Sequence, residues 1–130
     1  MTYYISKIVD QPFDAVVADV IACLKRQGFG LLTDIDVRAT LKEKIGADIP
    51  AYRILGACNP RFAHQALLVE DKLGVLLPCN VVVRETSDRR VEVASIDPVA
   101  SMERTRNSAL SAMASEVRRL LTDAVSQVGS

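Results

Sequence analysis

Leu73 to Val83 is apolar at almost every position, and this run limits the possible folds more than any other part of the chain. It is too short to cross a bilayer as a helix, which takes about 20 residues, and it contains Pro78 and Asn80. It is expected to be buried, as a strand near the centre of a sheet. In a large parallel sheet such a strand is covered on both faces, but a chain of 130 residues has few helices with which to cover two. Some of this apolar surface is therefore expected to face a second subunit, and a homodimer is predicted. Sixteen basic and sixteen acidic residues cancel, so no long-range repulsion opposes association. In the alternative arrangement, the first and last helices cover one face and the short helices the other, leaving a monomer.

The remaining elements follow from periodicity and punctuation. Tyr3 to Val9 alternates like a strand, and Asp10 with Pro12 opens a helix whose apolar residues Phe13, Val16, Val17, Val20, Ile21 and Leu24 share one face. Gly28 supplies a left-handed cap, and Phe29 to Ile35 reads as a second strand. Asp36 caps a short helix carrying Leu41 and Ile45 and closed by Gly46. Tyr52 to Ala57 is a third strand, and Asn59-Pro60 starts a helix running to about Glu70. Val75 to Glu85 and Arg90 to Ile96 form a hairpin around Thr86 to Arg89. A last helix begins after Asp97-Pro98 and runs to about Gln127, with Leu110, Met113, Val117, Leu120, Leu121, Ala124 and Val128 as its stripe. This order predicts an α+β fold: one compact domain over residues 1–130, a mostly antiparallel sheet of about five strands with helices packed on it, and a long C-terminal helix. A chain of this length buries about two-thirds of its unfolded surface, so neither disulfide nor metal is needed to hold it together.

Two near-mirror motifs, Ala57-Cys58-Asn59-Pro60 and Leu77-Pro78-Cys79-Asn80, locate a candidate pocket lined by Cys58, Asn59, Cys79 and Asn80. Cys58 ends a strand just before a helix N-terminus, where the helix dipole and free N–H groups favour a thiolate, which makes it the candidate reactive thiol. The structural alternative is a small buried hydrophobe at a helix start. Pro78 removes a ladder donor beside Cys79, which predicts a bulge or an unpaired edge there, and Asn80 needs polar partners if buried. His64, the single histidine, would fall in the second turn of the following helix. With Cys58 or Cys79 and Asn59 or Asn80 it has the composition of a thiol-hydrolase set, against the plainer reading of a surface histidine. A metal ranks lower, because there is no Cys-x-x-Cys, no His-x-His and no second ligand pair. Cys23 sits on the flank of the first helix's apolar face and reads as core. Asp34 and Asp36 are either paired carboxylates or a solvent-facing residue and a cap, and Arg53 either reaches an anionic ligand or faces solvent.

Read with their surroundings, Asp36 to Lys44, Tyr52 to Pro60 and Gly74 to Val83 make the chain resemble the domain of unknown function 302 family over essentially its whole length. The resemblance implies a small, single-domain, dimeric bacterial or archaeal α+β protein with no assigned activity or cofactor.

Composition narrows the function classes further. Glu85 and Asp88 interrupt the cluster of Arg84, Arg89 and Arg90, so no nucleic-acid footprint is expected. No membrane segment is expected either. The first residues lack a basic stretch followed by an apolar run, and three cysteines at irregular spacing favour reduced thiols, so a cytoplasmic location is predicted. Three functions remain open: a module binding a small molecule or sulfur group in the Cys/Asn pocket, a thiol enzyme or sulfur-transfer protein with Cys58 as nucleophile, and a dimeric interaction module without an active site.

Overall fold

The computed structural model describes residues 2–130. Strands β1 (Tyr4–Val9), β2 (Gly30–Asp36), β3 (Tyr52–Cys58), β4 (Cys79–Glu85) and β5 (Val91–Ile96) form one antiparallel sheet in the order β1-β5-β4-β3-β2. Helices α1 (Phe13–Arg26) and α5 (Ser108–Gln127) pack side by side on one face. Three shorter helices, α2 (Val37–Ile45), α3 (Pro60–Val69) and α4 (Pro98–Met102), fill in around them. The α+β architecture read from the sequence is the one observed.

Local chemistry explains most boundaries. Gly28 has φ +89° and turns the chain out of α1. Asp36 caps α2 by accepting from the Ala39 N–H at 2.9 Å, and left-handed Gly46 closes it. Asp97, almost fully buried, accepts from the Val99 N–H at 3.0 Å and from Arg118 Nε at 3.0 Å, tying the start of α4 to α5. Lys7 donates to the Ser126 and Val128 carbonyls, which binds β1 to the end of α5.

The sheet's helix-covered face carries Leu55 and Ala57 of β3, Val81 and Val83 of β4, and Val91 and Val93 of β5, all essentially buried. With Val16, Val20 and Leu24 of α1 and Leu121, Ala124 and Val125 of α5 they form the main core. A second, smaller cluster of Ala66, Leu73 and Leu110 lies between α3 and α5.

Three expectations are corrected. Leu73 to Leu76 is a 3-10 turn, and the strand begins only at Cys79, because Gly74 and Pro78 break the extended run; Val75 is 85% exposed. The last helical stretch is divided: α4 and a 3-10 turn end at left-handed Arg106, and Asn107 caps α5 afresh from the Ala109 N–H. The sheet irregularity expected at Pro78 occurs in β2, between Leu31 and Thr33.

Candidate functional site

At the end of the sheet where β3 stops and β4 starts, the helices do not close onto the strands. Between them lies a cavity of about 360 Å³. Its floor is Ala57, Cys58 and Cys79, one side is Phe62, Ala63 and Ala66 of α3, and its roof is Leu110, Met113, Ala114 and Val117 of α5. Phe29, Leu32, Leu67, Leu73, Leu77, Pro78 and Met102 complete the wall, and Asn59 is its only side chain with a strongly polar group.

Backbone register places the two cysteines together. Ala57 lies opposite Cys79 in the β3–β4 ladder, so Cys58 is one residue from direct pairing. Cys58 is the last residue of β3, where the chain leaves the sheet for α3, and it shares the cavity wall with Cys79. Both cysteines thus border one cavity. Their environments differ. Cys79 is buried, and loss of hydration, aided by repulsion from Cys58, pushes its thiol up to about 11. It is a protonated, weakly polar wall group at neutral pH. Cys58 is half-buried and is the more accessible of the two. Cys23 lies outside the site, fully buried on α1; burial and Asp19 raise its thiol pKa, and Arg26 partly opposes them.

Asn59 stands at the N-cap of α3 but makes no capping bond with its side chain. Its amide packs against Gly28, where a Cβ would come within 3.1 Å of Asn59 Nδ2, and this glycine lets the start of α3 sit against the end of α1. Gly56 performs a similar service: a Cβ there would lie 2.8 Å from Pro78 and closer still to the Thr33 hydroxyl. Pro78 therefore rests directly on β3 beside the cavity.

Two candidates are not brought to the site. Asn80 pairs with Gly56 and points to the sheet's opposite face, since neighbouring strand residues alternate and Cys79 takes the cavity side. His64 is exposed on α3 and does not line the cavity, so the Cys/His/Asn set is not assembled. Among the described residues, no three His, Cys, Asp or Glu side chains converge as a metal site. Arg53 makes a two-pronged pair with Asp34, its Nε donating at 2.7 Å, and Asp36 is occupied as a cap, so neither carboxylate faces the other as a catalytic partner. The Arg53 guanidinium holds the Asp34 carboxyl below the usual range.

Sequence reasoning missed the residues that give the cavity its character: Phe62, Ala63 and Ala66 on α3, and Met102, Leu110 and Met113 near α5. The signal was present in α3, whose apolar positions Phe62, Ala63 and Ala66 recur at helical spacing.

The family described as domain of unknown function DUF302 matches residues 5–128. A crystal structure of an uncharacterized conserved DUF302 protein from Bacillus stearothermophilus superimposes with a TM-score of 0.92, covering 98% of this chain and 99% of that one at 23% identity. The comparison with curated proteins gives no match. The chain belongs to the DUF302 family.

Proposed function

We propose that this DUF302 protein is a binding module whose ligand is a small, mainly apolar molecule held in the cavity between α3, α5 and the β3–β4 end of the sheet. The observation that carries the reading is the cavity itself. It opens to solvent beside Leu32 and Leu67, and its volume of about 360 Å³ falls within the roughly 300–1,000 Å³ of small-molecule sites. A lining this poor in polar groups does not hold water well, which favours an apolar occupant. Cys58 and Asn59 at the edge are the groups available to orient one end of it. The neutral fluorophore N-phenyl-1-naphthylamine tests this. Saturable 1:1 fluorescence enhancement is expected, abolished by the cavity-filling Ala66→Phe with no fall in Tm. Equal enhancement in the filled variant would reject the cavity as the site.

A second reading, a homodimer, is favoured by the uncovered sheet face. Tyr4, Ile8 and Ile35 are each 41–48% exposed there, beside half-buried Ile54, Val82 and Ile96. Five strands about 4.8 Å apart and about six residues long make a face of about 500 Å² in projection. Its corrugated surface approaches the roughly 800 Å² per partner of a standard interface. Arg84 and Glu92 pair at 2.7 Å at the hairpin end of the β4–β5 ladder, so the charges lie at the border of this apolar face rather than at its centre. Light scattering should give a dimer mass that Val82→Lys halves. A monomer mass persisting through the micromolar range would reject this interface.

A further inference from the structure

The apolar cavity has a polar neighbour. On the other side of Met102, Leu110 and Ala114, three residues that wall both spaces, lies a second cavity of about 440 Å³. Its character is different: it is edged by Glu103, Arg106 and Asn107 and by Ser108, Ser111 and Ser115 along α5.

We infer that the two cavities form one bipartite site for an amphipathic carboxylate, with the alkyl chain in the apolar part and the carboxylate in the part beside Arg106. This rests on the apolar-ligand reading above and adds the class of ligand.

The shared wall is the first support. Leu110 and Ala114 are fixed on α5, but Met102 ends α4, is half-buried, and has an unbranched side chain with three rotatable bonds, so its rotation can join the two spaces without moving a helix. The second support is charge. Arg106 is the arginine that lines the polar cavity, and among the described residues no ion pair engages it, as is also true of Arg26, Arg38, Arg61, Arg89 and Arg104 elsewhere on the surface. Arg106 is also held in the left-handed region, φ 54°, between the 3-10 turn and the α5 cap, which fixes where its side chain leaves the backbone. Ser108, Ser111 and Ser115 add hydroxyl donors on the same side. Glu103 is the one carboxylate in the polar cavity and acts against an anionic head group.

The geometry therefore gives opposite signs to two neighbouring substitutions. Decanoate and decan-1-ol are titrated by isothermal calorimetry into the wild-type protein and three variants. Arg106→Asn, chosen because Asn tolerates the left-handed backbone, is expected to weaken decanoate about tenfold while leaving decanol unchanged. Arg106→Lys should restore most of that loss. Glu103→Gln should tighten decanoate and leave decanol alone. If decanoate and decanol respond alike to Arg106→Asn, or if wild type binds decanol and not decanoate, the bipartite site is wrong and the apolar cavity stands. If neither ligand binds and N-phenyl-1-naphthylamine also fails, the apolar-ligand reading falls with it.

Discussion

Under α1, the residues Val20, Leu24, Val81, Val93, Ala124 and Val128 meet with no room for a water molecule, while a few residues along the same sheet face, under α3, the equally buried Leu73 and Leu110 border about 360 Å³ of space. Both regions rest on β4 and on helix α5, the packed one reaching across to β5 and the hollow one to β3. They differ in the second helix. α1 has fourteen residues and presents an uninterrupted apolar stripe to the sheet, whereas α3 has ten, buries only Ala66, and is followed by a turn rather than by strand. The packed end supplies stability. The end with the shorter elements leaves about 360 Å³ unfilled.

Truncation should separate the two ends most strongly. Leu121→Ala under α1 is expected to cost about 4 kcal/mol, against about 2 kcal/mol for Leu110→Ala, which already lacks neighbours on one side. Urea unfolding measures both, and equal losses would mean that the α3 end is as well packed as the core. Enlargement should give the converse. Ala124→Phe is expected to destabilise by about 2 kcal/mol through overpacking. Ala66→Phe has space to enter and should change stability by less than about 0.5 kcal/mol. A large loss for Ala66→Phe would deny that the space is usable.

Smaller differences follow from the thiols and the ion pair. Brief iodoacetamide treatment at pH 7.5 with peptide mapping should label half-buried Cys58 severalfold faster than Cys79 or Cys23. Labelling of Cys79 should rise only as pH approaches about 11. Equal, slow labelling of all three would remove Cys58 as a reactive group. The smallest effect belongs to Asp34. Its pKa is lowered in the folded state, so its contribution is present above the unfolded carboxyl's value near 4 and is lost as pH falls through the folded value. The pair is partly exposed, so about 0.5 kcal/mol is expected. Asp34→Asn should remove that amount at pH 7 and flatten the acid limb of the stability profile.

Most of the fold is legible in the residues because its signals are local: the α1 stripe, Asp36 as a cap, Gly28 and Gly46 as helix ends. The errors arose where a local signal was ambiguous. An unbroken apolar run has no period, so Leu73 to Leu77 read as strand until Gly74 and Pro78 are given the weight of breakers. Asn107-Ser108 carried the N-cap signal that divides α4 from α5, but the apolar stripe continues across it and hides the break. At the site, Cys58, Asn59 and Cys79 were readable from their motifs. Alternation along β4 already forbids Asn80 from sharing a face with Cys79. The apolar wall was not readable, because it is assembled from α3, α4 and α5, which are distant in the chain and whose separation in space no sequence pattern encodes.

The central claim, that the hollow α3 end receives a ligand while the α1 end does not, is tested most directly by methyl NMR during titration with N-phenyl-1-naphthylamine. Shifts confined to Leu73, Leu77, Met102, Leu110 and Met113, with Val20, Val93 and Leu121 unmoved, are the predicted result. Shifts at Ile8, Val82 and Ile96 on the uncovered face, or spread evenly through the main core, would contradict it.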